Sequence, residues 1–187
     1  MSDPDQDLDF TKPSPAPAPP PPAAKVAQAR KEAGSGTPQL EKKGFYVAMA
    51  RHAKGGMVPP RDGPRHSILV IEDDATLVKL VSEVLSQAGF KVRTARNRTE
   101  INTEINKAPL PDLLLLDVTL PDADGFQILE RIRGHPKLSA LPVVMMTARS
   151  DVADITRGLS LNADGYVTKP FKVSALISAV GTVLGLE

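Results

Sequence analysis

Short apolar runs alternate with helical patterns along residues 65–187 of the chain. An apolar run of roughly four to eight residues indicates a strand, and apolar residues three and four apart indicate a helix packed on one face. On this basis we predict strands at residues 67–71, 91–95, 113–117, 142–147 and 165–169. The first, third and fourth are continuously apolar, as strands covered on both faces must be, whereas the more polar second and fifth suit the edges of a sheet.

The segments between these strands carry the signals of helices. After the first strand, Asp74 is a candidate N-cap, an apolar stripe begins at Leu77, and Gly89 ends the helix. A similar stripe runs along the last helix from Val173 to Leu184. Repeated strand–helix alternation predicts an α/β protein with a doubly wound, five-stranded parallel sheet and right-handed crossovers. Such sheets place their functional sites at the carboxyl ends of the strands.

The first 64 residues differ in composition from the remainder. They hold 12 of the 18 prolines, and residues 13–24 are almost entirely proline and alanine. Such a sequence favours extended, solvated polyproline II and has little apolar surface to bury. We therefore predict that residues 1–64 are a disordered Pro/Ala-rich N-terminal extension and that residues 65–187 are the folded domain. Within the extension, the pattern of residues 40–54 allows one short basic amphipathic helical turn. Such a turn would dock to a partner or an anionic surface, but we favour a solvated linker here.

Composition excludes several classes of protein. The chain has no cysteine, which excludes disulfide scaffolds, cysteine-based zinc sites and cysteine nucleophiles. Residues 65–187 carry 14 Lys/Arg and 15 Asp/Glu, so they lack the basic surface typical of nucleic-acid-binding domains. No apolar stretch reaches the roughly 18 residues of a membrane helix, and the acidic start has no signal-peptide pattern. We expect a cytoplasmic protein that binds neither DNA nor a membrane.

Charged and hydroxyl side chains follow the predicted central strands. They are Glu72, Asp73 and Asp74 after the first strand, Asp117 in the third, Thr147 in the fourth and Lys169 in the fifth. Because parallel strands end at the same edge of a sheet, we expect these side chains to share one crevice. Several carboxylates in one crevice repel each other unless they are protonated or bound to a cation. An all-oxygen ligand set favours Mg²⁺, so the sequence predicts a magnesium site.

A Mg²⁺ site of this type is usually completed by phosphate oxygens. Lys169 offers a positive charge and Thr147 a hydroxyl, and both groups suit phosphate. A carboxylate beside them can attack phosphorus and form an acyl phosphate. Asp117 ends the most apolar strand, which we expect at the centre of the sheet, and is therefore the candidate nucleophile.

Four motifs occur in order along the folded domain. They are ILVIEDD at residues 68–74, DVTLPDADG at 117–125, Thr147-Ala148, and YVTKPF at 166–171. Together they resemble the receiver domain of two-component response regulators, over about residues 66–186. The resemblance implies a flavodoxin-like (βα)5 fold with strand order 2-1-3-4-5. It also implies a domain that takes a phosphoryl group from a phosphohistidine on a sensor histidine kinase or a histidine phosphotransfer protein.

The resemblance assigns a role to each site residue. Asp117, Lys169 and Thr147 match the catalytic set, with Asp117 as the phosphoacceptor. The implied Mg²⁺ ligands are Glu72, Asp73, Asp117 and the backbone carbonyl of Thr119. Thr147 and Tyr166 match the switch pair, which would alter contacts with a downstream protein target on the face of the fourth helix, fifth strand and fifth helix. The implied catalysis is limited to the domain's own phosphotransfer and autodephosphorylation, so we do not expect an enzyme.

Two other functions stay open. One is a pseudo-receiver, which acts as a phosphorylation-independent interaction module; such a protein would be expected to lack an acid or Lys169, and here none is missing. The other is an aspartate-nucleophile phosphatase. That class needs a second aspartate two residues after the nucleophile, where this chain has Thr119.

Three local features are also predicted. Asp74 is expected to cap a helix rather than to bind the metal. The resemblance implies a cis peptide between Lys169 and Pro170. Arg149 lies two residues after Thr147 and is expected to change the lifetime of the acyl phosphate.

Overall fold

The computed structural model describes residues 8–12, 19–48, 56–148 and 152–186. Among these residues the strands are β1 (Phe45–Val47), β2 (Ser67–Ile71), β3 (Lys91–Ala95), β4 (Leu113–Asp117), β5 (Val143–Thr147) and β6 (Gly165–Thr168). The helices are α1 (Ala23–Lys43), α2 (Ala75–Gln87), α3 (Arg98–Ile105), α4 (Gly125–Gly134), α5 (Val152–Ser160) and α6 (Val173–Leu184). None of these helices is long and apolar enough to span a membrane.

One six-stranded sheet organises these elements, in the order β1-β6-β5-β4-β2-β3. The strands β2 to β6 pair in parallel, which confirms the five predicted strands, the α/β class and the predicted order 2-1-3-4-5. Two strands are slightly shorter than predicted. β5 begins at Val143, after Pro142, which has no N–H to donate to the ladder, and β6 ends at Thr168. β4 lies at the centre of the parallel set, between β2 and β5.

Helices cover both faces of the sheet and bury two apolar clusters. Residues of α1, α3, α4 and α5 contribute to the cluster on one face, and residues of α2 and α6 contribute to the cluster on the other. Every residue of β2, β4 and β5 is buried, as expected for strands covered on both faces. The carboxyl ends of these strands, where the candidate residues lie, are therefore positioned by the core.

The prediction that the fifth parallel strand lies at an edge was wrong. β1 pairs antiparallel with β6 and covers that edge, with Tyr46 opposite Tyr166. A hydrogen bond from Ala48 N to Asp164 O, at 2.8 Å, extends the pairing. A strand of three residues is too short to give a clear alternation of apolar and polar positions, so it is identified only by its partner.

The extension also contains a long helix where disorder was predicted. α1 buries Ala29, Ala33, Gly36 and Leu40, and it packs against α5. Only Leu40 among these residues is large, so they form no strongly hydrophobic stripe in the sequence. The contact depends on the close approach of two helices, which a pattern of large apolar residues does not reveal.

The end of α1 differs from the solvated linker predicted at residues 40–54. Residues 40–43 are the last turn of α1, Gly44 ends the helix with a φ of 82°, and β1 follows. Gly36 faces the ring of Tyr46, and a Cβ at this position would lie 2.9 Å from that ring. The glycine therefore allows β1 to fold back against α1. Residues 49–55 lie outside the described part of the chain.

Contacts also cross the predicted domain boundary at residue 64. Val58 N donates a hydrogen bond to Leu184 O at 2.9 Å, and Arg61 N donates one to Asp112 Oδ1 at 3.0 Å. Residues 56–64 therefore lie against the parallel domain. The division of the chain at this boundary stays a prediction.

Candidate functional site

The loop between β2 and α2 holds three consecutive acidic residues. Asp74 caps α2, since its Oδ1 accepts hydrogen bonds from Thr76 N at 2.8 Å and Leu77 N at 3.0 Å. The bonds from Leu77 and Thr76 hold the pKa of Asp74 below its usual value. The prediction that Asp74 caps the helix is confirmed. Glu72 and Asp73, and not Asp74, join the acidic cluster described below.

Asp117 lies at the end of β4 and is 4% exposed. Thr119 N donates a hydrogen bond to Asp117 Oδ1 at 3.0 Å, which orients the carboxylate. Asp124 caps α4 by accepting a hydrogen bond from Phe126 N at 2.8 Å. Gly125 then starts α4 directly against the end of β4, where a Cβ would lie only 2.2 Å from Asp117 O. This close approach of two backbone segments requires glycine.

Lys169 enters the site from the end of β6. Its backbone N donates a hydrogen bond to Thr147 O at 2.7 Å, and the peptide between Lys169 and Pro170 is cis, as expected. Lys169 Nζ lies 2.7 Å from Asp117 Oδ2 and 2.6 Å from Glu72 Oε2. Burial disfavours the charged ammonium, but the hydrogen bonds to Asp117 and Glu72 outweigh it and raise the pKa of Lys169. The ammonium group therefore stays protonated between the two carboxylates.

Glu72, Asp73 and Asp117 each place a carboxylate oxygen within 4.8 Å of the other two. Burial raises the pKa of Glu72; the hydrogen bond from Lys169 lowers it, and the charge of Asp117 raises it further. Three carboxylates facing one ammonium leave an excess of negative charge, which a divalent cation would neutralise. Because the donors are all hard oxygens, the cluster fits Mg²⁺.

The two predicted switch residues lie on neighbouring strands. Thr147 ends β5 and is 2% exposed. Tyr166 is fully buried in β6, and its hydroxyl donates a hydrogen bond to Ile155 O in α5 at 3.2 Å. Burial raises the pKa of Tyr166 well above its usual value, so the hydroxyl stays protonated. Tyr166 is therefore bonded directly to α5.

Gly158 makes room for this tyrosine inside α5. A Cβ at Gly158 would lie 1.7 Å from Tyr166 Oη and 3.2 Å from the ring of Phe126. Glycine in the interior of a helix is unfavourable by itself, so its presence in the sequence is a signal of a packing constraint. Only the structure identifies the constraint as the tyrosine hydroxyl.

The structure brings Glu72, Asp73, Asp117 and Lys169 together at one edge of the sheet. Thr119 is exposed and contacts this group through its backbone N–H. Arg149 lies outside the described residues, so its predicted effect on the acyl phosphate stays a prediction.

The motifs, the sheet and this site can be compared with known proteins. A family model of the response regulator receiver domain matches residues 68–181, more than half of the 187-residue chain. The chain belongs to this family. The resemblance of its motifs to receiver domains is confirmed, and the family is one of signalling domains rather than of enzymes in the ordinary sense.

Curated relatives of this receiver domain include two transcriptional regulators. The chain is 39% identical over 118 residues to the transcriptional regulatory protein GltR of Pseudomonas aeruginosa, a match that covers 63% of this chain and 48% of that protein. It is 38% identical over 117 residues to the phosphate regulon transcriptional regulatory protein PhoB of Escherichia coli. That match covers 63% of this chain and 51% of PhoB. The chain spans about half the length of the curated relatives it matches.

Solved structures agree with the observed fold. The signal receiver domain of a signal transduction histidine kinase from Syntrophus aciditrophicus has a TM-score of 0.58 and 33% identity, covering 64% of this chain and 89% of that chain. Chemotaxis protein CheY4 of Vibrio cholerae has a TM-score of 0.61 and 26% identity, covering 64% of this chain and 99% of that chain. The receiver fold therefore accounts for the parallel part of the sheet and its helices.

Proposed function

We propose that this chain is a phosphorylatable response regulator of a two-component or phosphorelay system. In this proposal, Asp117 accepts a phosphoryl group from a phosphohistidine on a sensor histidine kinase or a histidine phosphotransfer protein. The observation that carries the proposal is the buried Asp117 carboxylate, which lies 2.7 Å from Lys169 Nζ within the acidic cluster. Histidine kinases are the partners of the receiver family to which the chain belongs.

Asp117 is placed to attack phosphorus. Thr119 N holds its Oδ1 and Lys169 Nζ holds its Oδ2, so the carboxylate has a fixed orientation. In the transfer, an Asp117 oxygen forms a bond to phosphorus while the phosphorus–nitrogen bond of the phosphohistidine breaks. The imidazole nitrogen keeps the electron pair of that bond and takes up a proton. Lys169 offsets the negative charge on the phosphoryl oxygens in the transition state.

The same residues would hold a metal ion during the transfer. We propose that the Mg²⁺ ligands are Glu72, Asp73, Asp117 and the backbone carbonyl of Thr119. When bound, the ion supplies charge neutralisation at the phosphoryl oxygens. The chain contributes the cluster of three carboxylates, which by themselves repel one another and therefore favour a cation.

Thr147 and Tyr166 would carry the signal from the site to α5. Thr147 follows directly on Met146, which lies beside Asp117 in the sheet, and its hydroxyl suits the oxygens of a phosphoryl group there. A shift of Thr147 would change the space open to the Tyr166 ring, whose hydroxyl bonds to Ile155 O. Phosphorylation would thus act on the position of α5 through a local change of charge.

The N-terminal extension covers part of the surface that the sequence predicts for the output. The predicted face consists of α5, β6 and α6, but α1 packs against α5 and β1 pairs with β6. We propose that a downstream protein target contacts a surface that includes α1 and β1. We do not propose DNA binding, because residues 65–187 carry 14 Lys/Arg against 15 Asp/Glu and so lack the basic surface typical of nucleic-acid-binding domains.

The alternative functions fit the site less well. A pseudo-receiver would not need Lys169 Nζ between two buried carboxylates, at 2.6 Å and 2.7 Å. An aspartate-nucleophile phosphatase would need an acid where Thr119 stands, and this residue instead uses its backbone N–H to orient Asp117. Phosphorylation of Asp117 is therefore the function that the arrangement supports best.

The test is chemical phosphorylation of the full chain with acetyl phosphate and Mg²⁺. We expect intact-mass spectrometry to find one added phosphoryl group that hydroxylamine removes, as an acyl phosphate requires. Asp117→Asn should abolish the addition. Asp62→Asn is the matched control, because Asp62 is exposed and pairs with Lys91 outside the acidic cluster. Equal labelling of Asp117→Asn and the wild type would overturn the proposal.

A further inference from the structure

A short segment of the N-terminal extension is docked on the folded domain, against α3 and α4. We call residues 8–10, Leu-Asp-Phe, the N-terminal motif. It belongs to no helix or strand, yet Phe10 is only 2% exposed and joins the apolar cluster that also contains Ile101 and Ile128. Residues 13–18, which separate this segment from the rest of the extension, lie outside the described part of the chain.

Polar side chains at four-residue spacing along α3 contact the main chain of the motif. Arg98, Asn102 and Asn106 lie on one side of the helix, because residues four apart share a face. Asn102 Oδ1 accepts a hydrogen bond from Phe10 N at 3.1 Å, and Asn106 Nδ2 donates one to Leu8 O at 3.0 Å. Arg98 Nη1 donates to Phe10 O at 3.4 Å. These side chains satisfy main-chain groups that a buried segment without regular structure would otherwise leave unpaired.

Arg131 of α4 contacts the motif from the other side. Its guanidinium lies 4.9 Å from the centre of the Phe10 ring, a cation–π distance, and its Nη2 donates to Asp9 O. A small pocket beside the ring is lined by Arg98, Ile101, Ala123, Asp124, Gln127 and Ile128. Side chains of α3 and α4 therefore contact the Phe10 ring, the three carbonyl groups of the motif and the N–H of Phe10.

We propose that this groove between α3 and α4 is a peptide-binding site whose ligand is the chain's own N-terminal motif, docked in cis. The ligand chemistry is a short acidic segment that turns after Asp9, with phenylalanine as its buried anchor. Because the motif is tethered, its effective concentration at the groove is on the order of millimolar, so even a weak intrinsic affinity keeps the groove occupied. The proposal goes beyond the phosphorylation of Asp117 and does not depend on it.

The groove lies beside the loop between β4 and α4, which contains Thr119. Arg98 N donates to Asp122 Oδ2 at 3.0 Å, and Ala123 and Asp124 line the pocket beside Phe10. These three residues belong to the loop between β4 and α4, which begins directly after Asp117. The docked motif therefore lies beside the loop that carries Thr119.

The first test measures peptide binding by the full chain with Phe10→Ala. The probe is a synthetic peptide of residues 5–12, and the readout is the NMR signals of the Asn102 and Asn106 side-chain amides. We expect saturable shifts of these signals, and at least tenfold weaker apparent binding to the wild type, whose groove is already occupied. A peptide with Phe10→Ala should cause no shift. No binding to the Phe10→Ala chain, or equal binding to both chains, would overturn the proposal.

A groove variant keeps this test specific. Arg131→Ala in the Phe10→Ala background should weaken peptide binding at least tenfold, because both the ring contact and a carbonyl contact are lost. The other backbone amide signals should stay in place, which shows that the variant is folded. Unchanged peptide affinity in this variant would contradict the assigned groove.

The second test distinguishes docking in cis from exchange between two copies. The chain has no cysteine, so Lys12→Cys with Gln127→Cys introduces a single reactive pair, and both positions are exposed. With a short bismaleimide we expect a cross-linked monomer whose yield falls when Phe10→Ala is added. Lys12→Cys with Lys172→Cys is the control, because Lys172 precedes α6 on the opposite face of the sheet. A cross-linked dimer as the main product would overturn docking in cis.

Discussion

The acidic site and the N-terminal extension are attached to the same sheet by different kinds of contact. At the site, buried charged groups meet at close range, with Lys169 Nζ 2.6 Å and 2.7 Å from two carboxylates. In the extension, small residues of α1 pack on α5, and β1 adds main-chain pairing to β6. α5 contacts the extension through α1, and it accepts a hydrogen bond from Tyr166, one of the two predicted switch residues.

This difference predicts which kind of substitution each region tolerates least. A buried charge depends on its partner, so removal of one partner leaves the other unpaired. A contact between small residues depends on shape, so an added methyl group is the disturbing change. The site should therefore respond to changes of charge, and the extension to changes of volume.

The largest expected effect is the loss of the central cation. Lys169→Met should lower the free energy of unfolding by about 3 kcal/mol without Mg²⁺, because Asp117 and the buried Glu72 lose the ammonium between them. Urea denaturation followed by circular dichroism measures this change. Lys172→Met is the matched control, since Lys172 is exposed, and it should change stability by less than about 0.5 kcal/mol. Equal stability of the two variants would contradict the role of charge pairing at the site.

A smaller effect is expected where α5 packs against the predicted switch residue Tyr166. Gly158→Ala should destabilise the chain by about 2 kcal/mol, because the new methyl group collides with the Tyr166 hydroxyl at a spacing of 1.7 Å. Tyr166→Phe removes that oxygen, so the double variant should recover part of the loss in urea denaturation. Gly134→Ala is the control, since no atom lies within 4 Å of a Cβ placed there. If the stability losses of Gly158→Ala and Tyr166→Phe simply add in the double variant, the collision with the hydroxyl is not their cause.

Within the extension, two glycines of α1 form a matched pair. Gly36→Ala should lower the free energy of local unfolding of β1 by about 1 kcal/mol, because its methyl group would lie 2.9 Å from the Tyr46 ring. Gly34→Ala meets no atom within 4 Å and should instead gain roughly 0.5 to 1 kcal/mol from helix propensity. Hydrogen exchange of the Ala48 amide, which bonds to Asp164 O, measures both effects. We expect roughly fivefold faster exchange in Gly36→Ala and slower exchange in Gly34→Ala.

The decisive result is that Gly36→Ala and Gly34→Ala should change the exchange rate of the Ala48 amide in opposite directions. Both residues lie in the interior of α1, so helix propensity alone would make both alanine variants stabilising. Faster exchange in both variants, or slower exchange in both, would show that α1 is not held against β1 through Gly36. Exchange of amides in β4 should not change in either variant, because that strand lies far along the sheet from β1.

The same contrast explains what the sequence predicts well. Three of the five parallel strands, β2, β4 and β5, stand out because burial on both faces requires continuous apolar runs. The cap at Asp74 and the grouping of Glu72, Asp117 and Lys169 are also predictable, since parallel strands end at one edge and helix caps have strong residue preferences.

The extension is hard to predict for physical reasons. Ala29, Ala33 and Gly36 give α1 little hydrophobic signal, and β1 is too short to show a strand pattern. Phe10 is a single aromatic residue in a mostly polar segment with Leu8 as its apolar neighbour. Its groove is formed by helices that lie 92 positions (Asn102) and 122 positions (Arg131 from Asp9) further along the chain. Such contacts depend on partners that are distant in sequence, so a local pattern does not indicate them.

The smallest expected effect is a change in the pH dependence of stability caused by Glu72. Its pKa is raised above 4.5, first by burial, so the folded chain binds this proton more tightly than the unfolded chain does. The stabilisation from this group is present below pH 4.5 and is lost as the pH rises through the folded-state pKa. We expect Glu72→Gln, without Mg²⁺, to gain stability relative to the wild type between pH 4.5 and neutrality. Glu83→Gln, an exposed position on α2, should follow the wild type. Urea denaturation at a series of pH values measures the free energy of unfolding of Glu72→Gln and of the wild type. If the two pH profiles run parallel, burial does not raise the pKa of Glu72.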